Sequence, residues 1–187
     1  MITNSRSDNV NTRNLVVDIL LAVTRDGAFS HIAIRDVLDK YRYLPKQDRA
    51  FITRLSQGTI ERMIELDAII NQFSKTKVKK MKPVIAAILR SGVYQLKYMD
   101  SVPDSAACNE AVKLTVKRGF GGLKGFVNGV MRTIARNMDQ IRYPDAEKEP
   151  VRYLSVKYSI PEWLVQRFTE QYGAEACERS LAAYLMP

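Results

Sequence analysis

The chain has 187 residues, 46% of them hydrophobic, with 29 Lys and Arg against 20 Asp and Glu for a net charge of +9. That balance suits a folded globular domain plus a remainder, and it excludes wholesale disorder. One histidine and two cysteines are too few for a four-coordinate zinc site, and His31 alone would have to serve any Ser-His or Cys-His device.

Apolar residues recur at helical spacing almost throughout, and two-residue alternation is rare, so an all-α fold is expected. The polar start has no apolar core of the secretory type. No apolar run approaches the roughly 18 residues of a membrane span. A cytoplasmic protein with no membrane partner is therefore expected, and Cys108 and Cys177 read as free thiols.

Asn11-Thr12 can cap a first helix that carries Leu15, Val16, Ile19, Leu20 and Val23, with Asp26-Gly27 ending it. Ser30 can cap a second with Ile34, Val37, Leu38 and Tyr41. His31, in Phe29-Ser30-His31-Ile32, reads as structural or surface. After Leu44-Pro45, Asp48 to Phe73 reads as one long helical stretch. Gly58 inside it costs about 1 kcal/mol relative to Ala, so it should mark close packing or a bend. Ser74 to Lys82 is a lysine-rich loop. Pro83 opens a strongly apolar helix, the best candidate for a central one.

Pro103-Asp104-Ser105 starts a helix through Lys117. The Gly119 to Gly122 turn follows, and Leu123 to Asn137 forms the next helix. At Tyr143 to Pro150 two prolines and three acids read as a linker (residues 143–150) closing a first domain of residues 1–142. Beyond it, Val151 to Tyr158 is a short helix. Ser159-Ile160-Pro161-Glu162 fits a capping box for a helix with Trp163, Leu164 and Phe168. Gly173 ends that one, and Ala174 to Leu185 is the last. Residues 151–187 are too few for a full core and should dock on the first domain or on something beyond.

Charge is concentrated. Ala68 to Met99 holds seven Lys or Arg and no acid, and Ala111 to Met138 holds six and no acid, while the remainder is slightly acidic. Such a field is the footprint of a polyanion partner. A solvated face is the plain alternative. The Gly119-x-Gly121-Gly122-x-x-Gly125 turn lacks the preceding strand and the spacing of a dinucleotide loop. It reads as a helix terminator or as a backbone approach to phosphate. Glu110 reads as a helix-surface partner for Lys or Arg. Asn128 reads as half-buried and satisfied by backbone or by Asn109. No nucleophile–base pair, metal set or cofactor loop emerges, so no catalytic, cofactor or metal residue is assigned and the chain alone is expected not to be an enzyme.

Val102-Pro103-Asp104-Ser105-Ala106-Ala107-Cys108-Asn109-Glu110-Ala111-Val112, followed by Gly125-Phe126-Val127-Asn128-Gly129-Val130-Met131-Arg132, resembles the paired signature of the NusB family. The resemblance covers about residues 10–137 and implies an all-α, RNA-binding helical bundle. Arg152 to Val165, then Tyr172-Gly173-Ala174-Glu175 and Leu181-Ala182-Ala183, is similar to the helical connector of the bacterial small-subunit ribosomal RNA cytosine-C5 methyltransferases of the RsmB (Sun/Fmu) family. There a NusB-like domain and a connector precede an S-adenosylmethionine-dependent catalytic domain.

The resemblance thus implies the RNA-binding N-terminal region of a 16S ribosomal RNA methyltransferase, cut before its catalytic domain. A NusB-type antitermination factor is the alternative. That family's catalytic cysteines stand in Pro-Cys contexts; Cys108 and Cys177 each follow Ala. S-adenosylmethionine would belong to the missing domain, and the expected partner of this chain is 16S ribosomal RNA. Arg6, Arg13, Lys77, Lys79, Lys80, Lys82, Lys117, Arg118, Lys124 and Arg132 are the expected phosphate contacts.

Overall fold

The computed structural model describes residues 10–184. Its helices are α1 (Thr12–Thr24), α2 (Ser30–Lys40), α3 (Lys46–Glu61), α4 (Met63–Phe73), α5 (Pro83–Tyr98), α6 (Asp104–Lys117), α7 (Lys124–Arg136), α8 (Pro150–Tyr158), α9 (Glu162–Tyr172) and α10 (Ala174–Tyr184). There is no strand among the described residues. The fold is all-α, as the spacing predicts.

The Asn11 side chain caps α1, accepting from the Asn14 amide at 2.9 Å. The helix buries Leu15, Val16, Val17, Ile19, Leu20 and Leu21, a broad face that α2, α3, α5 and α6 cover together. Gly27 ends the turn after it at φ +74°, where glycine carries no Cβ penalty. At α2 the expected Ser30 cap is replaced. Phe29 occupies the cap position without a side-chain hydrogen bond, and Ser30 is already helical.

The single stretch expected from Asp48 to Phe73 is two helices. Arg62 leaves the helical region at φ −101°, ψ 15°. The change of direction lets α3 pack on α1 and α5, while α4 packs on α5, α7 and α8. One straight rod could not follow both lines. Gly58 is not the cause of this break. A Cβ there would overlap the Tyr94 ring of α5, so the glycine serves close packing.

Pro83 stands in the first turn of α5, where a missing amide costs nothing. Ile85, Ile88, Leu89 and Val93 of that helix are buried, each worth roughly 1.5–3 kcal/mol. It touches α1, α3, α4, α6 and α7 and is the central helix. After α6, Gly119 reverses the chain at φ +83° into a 3₁₀ turn, Gly121–Leu123. Val127, Val130, Met131 and Ile134 of α7 close the core.

A second, smaller core joins α8, α9 and α10 through Leu154, Tyr158, Val165, Cys177 and Leu181. These helices, here termed the connector, meet the bundle through α8, which rests on α4. The capping box expected at Ser159 to Glu162 does not form. Ser159 takes the left-handed conformation (φ 54°) that terminates α8, and Pro161 stands at the cap of α9. The Ser159 hydroxyl instead accepts from the Ile64 amide at 3.0 Å, satisfying an orphan donor at the start of α4.

The segment between bundle and connector is held as well. Gln72 of α4 donates to the Arg142 carbonyl and accepts from the Arg142 amide, both at 2.9 Å. The Tyr143 hydroxyl donates to Glu65 at 2.5 Å. Glu65 is 2% exposed and also accepts from Tyr98 at 2.5 Å, with Arg62 and Lys97 at 3.6 and 3.8 Å. A buried carboxylate needs this much company. Among the described residues, no helix is long and apolar enough to cross a membrane. No group of three His, Cys, Asp or Glu there could hold a metal.

Candidate nucleic-acid interface

Asn128 and Arg132 lie one turn apart on α7, and Asn109 faces them from α6. The Arg132 Nε donates to the Asn128 Oδ1 at 2.9 Å, and its Nη2 donates to the Asn109 Oδ1 at 3.4 Å. Two amide oxygens thereby orient one exposed guanidinium and leave its other N–H groups for an anion. Beside it runs an open groove of about 540 Å³ lined by Asn109, Val112, Lys113, Lys124, Gly125 and Asn128. Lys124 opens α7 and is exposed, so its charge adds to the positive end of the helix dipole. Glu110 pairs with Lys113 at 2.8 Å, the partnership its position suggests.

The lysine-rich loop is shaped from within. Asn71 Oδ1 accepts from the Val78 amide at 2.8 Å, and the Ser74 hydroxyl donates to the Thr76 carbonyl at 2.8 Å. Val78 is buried and anchors a 3₁₀ turn, Val78–Lys80. Lys79, Lys80 and Lys82 are consequently exposed. Lys77 donates to the Asn71 carbonyl at 2.9 Å.

Two of the expected contacts are occupied inside the bundle. Arg118 donates to the Asn14 side chain and carbonyl at 2.8 Å each, and to Asp18 at 2.7 Å. It fastens the end of α6 to α1. Arg13 donates to Gln95 at 2.7 Å and lies 4.9 Å over the Phe51 ring. Burial lowers its pKa while the charge of Glu110 opposes the shift; an arginine remains protonated regardless. Lys117 is exposed on the last turn of α6. Arg6 lies outside the described residues.

The structure therefore gathers Lys124 and Arg132 around the α6–α7 groove, places Lys77 to Lys82 in the loop between α4 and α5, and turns Arg13 and Arg118 inward. Asn109 and Asn128 belong with Arg132; the sequence brings Asn128 to backbone or to Asn109, and it is the shared arginine that sequence reasoning misses. The four-residue spacing of Asn128 and Arg132 carries half of that signal; the Asn109 partner comes from another helix. Cys108, near this groove, is 2% exposed. Burial pushes its thiol up, against the charge of Arg132, which suits a packing residue and not a nucleophile.

The NusB family model matches residues 10–136, from α1 to α7, including both the loop and the groove. The probable ribosomal RNA small subunit methyltransferase B of Bacillus subtilis (strain 168) is 36% identical over 175 residues, 94% of this chain, and the chain spans 38% of that protein's length. The transcription antitermination protein NusB of Agathobacter rectalis is 39% identical over 90 residues, 48% of this chain and 69% of that protein. A crystal structure of antitermination factors NusB and NusE in complex with dsRNA has a chain of similar fold. It aligns with a TM-score of 0.62 at 21% identity, over 67% of this chain and 93% of that one. With the family model matching continuously from α1 to α7, this chain belongs to the NusB family.

Proposed function

We propose that this chain is the RNA-binding N-terminal region of a 16S ribosomal RNA cytosine-C5 methyltransferase. It holds structured ribosomal RNA so that an S-adenosylmethionine-dependent domain, in the part of such a protein that this chain does not span, reaches its target cytosine. One observation carries the reading. The family model stops at residue 136, whereas the likeness to methyltransferase B takes in 94% of the chain and so extends into the connector.

The arrangement of charge supports it. Lys77, Lys79, Lys80, Lys82, Lys117, Lys124 and Arg132 are the phosphate contacts in this reading, and Arg13 and Arg118 hold the helices that present them. Phosphate contacts fix register and carry no sequence information. If about five form, log affinity for a 16S ribosomal RNA fragment falls with log salt at a slope of roughly −3.5 to −4.5. Absent or salt-insensitive binding overturns the proposal. S-adenosylmethionine and RNA added to this chain alone should give no methylation.

A second reading, an antitermination factor, is favoured by the higher identity to an antitermination protein over its shorter stretch. Recovery of a ribosomal protein with residues 1–140, together with tighter binding of a short single-stranded RNA than of structured 16S fragments, would replace the first reading with this one.

A further inference from the structure

We propose that the cleft between α4 and the connector is a second RNA-backbone subsite, in which Lys77 and Arg142 take phosphates of a strand passing from the bundle to the connector. The proposal rests on the RNA-binding reading above and adds the path of the strand. The cleft measures about 540 Å³, and its walls include Asp67, Asn71, Lys77, Arg142, Glu149 and Arg152. Both acids are already answered. Asp67 is held by Arg90 in a two-pronged pair at 2.6 and 2.7 Å, and Glu149 pairs with Arg152 at 3.0 Å. The Arg142 guanidinium makes no ion pair among the described residues, and Lys77 has only the Asn71 carbonyl. The balance in the cleft is thus positive.

The two cations stand on opposite sides, Lys77 from the bundle and Arg142 from the chain beyond it. They are positioned by more than their own stems. The reciprocal Gln72–Arg142 hydrogen bonds fix the Arg142 backbone against α4, and the Ser159–Ile64 bond fixes the far end of α8. Donors held in place before binding lose less entropy when an anion arrives. Because Lys77 also begins the exposed run Lys79, Lys80 and Lys82, a backbone tracking that loop is delivered to the cleft mouth.

The test is fluorescence titration of a labelled 16S ribosomal RNA fragment across a salt series. The variants are K77A/R142A, K124A/R132A and Gln72→Ala, each with a urea unfolding curve. K77A/R142A should lose about tenfold in affinity at low salt and flatten the salt slope by roughly 1.4–1.8. Gln72→Ala keeps every charge but releases Arg142, and should flatten the slope by roughly 0.7–0.9. If K77A/R142A keeps both affinity and slope while K124A/R132A loses them, the cleft is not a subsite and the RNA reading stands. A loss of affinity without a change of slope marks a purely structural role and equally overturns the subsite. If the unaltered chain does not bind the fragment, both proposals fall together.

Discussion

The hydroxyl of Ser159 and the amide of Ile64 meet at 3.0 Å across 95 positions of sequence. One residue ends α8 and caps α4 in the same act. Ser159→Ala removes the acceptor and leaves a Cβ in the left-handed region, so it should destabilise the chain by about 1–2 kcal/mol. Ser159→Gly removes the acceptor but relieves the backbone, and should cost less. Urea unfolding of the two variants orders them; equal stability of both with the parent would deny the cap.

Glu65 ties three segments together. Glu65→Leu leaves Arg62 and Lys97 without their carboxylate and two tyrosines without their acceptor, and should cost roughly 3 kcal/mol or more. The pH dependence has a definite sign. Burial first, and then the hydrogen bond to Glu65, raise the pKa of both Tyr98 and Tyr143 above the ordinary tyrosine value of 10.0. The folded chain therefore keeps these protons where the unfolded chain has begun to lose them. Their stabilisation is complete below about pH 10 and is lost progressively as the pH rises beyond it. Tyr143→Phe, followed by thermal unfolding between pH 8 and 11, should flatten that alkaline decline.

Gly58 and Tyr94 are a matched pair. Gly58→Ala drives a methyl into the Tyr94 ring and should cost about 1–3 kcal/mol, as overpacking does. Tyr94→Leu in the same chain should recover most of that loss. A double-mutant cycle with no coupling would show that α3 and α5 do not meet at this contact.

Arg118 and Arg132 should separate cleanly in the laboratory. Arg118→Ala breaks three hydrogen bonds to α1 and should lower stability by about 1–2 kcal/mol, with the salt dependence of RNA binding unmoved. K124A/R132A should do the reverse, leaving the unfolding free energy within about 0.5 kcal/mol of the parent and flattening the salt slope by roughly 1.4–1.8. Stopped at either variant alone, the experiment could not tell a strut from a contact.

Local chemistry makes much of this fold readable from the residues. Asn11 announces α1, Pro83 announces α5, and the apolar spacing of Val84 to Leu96 marks the centre of the bundle. What escapes is decided at a distance. Asp48 to Phe73 looks continuous because the one weak signal nearby, Gly58, serves packing against Tyr94 and nothing at Arg62 itself breaks a helix; the break answers the separate packing partners of α3 and α4. Ser159 looks like a cap for the helix that follows because its true partner is 95 positions away. The same holds at the interface. Arg118 and Arg132 look alike in a basic segment, and only the helices opposite them decide that one faces Asp18 and the other Asn109.

The three fastenings along α4 also say where the chain can be divided. Removing everything after residue 142 strips the Ile64 amide and one side of Glu65 of their partners at a stroke, and leaves the Gln72 amide holding only the cut end at Arg142. Those groups would have to find water on a face that the connector now covers. A bundle trimmed at the composition change is therefore the less soluble, less stable piece, although it carries the whole family signature. A knife placed beyond Ser159, at Ile160 or later, leaves all three fastenings in the same fragment.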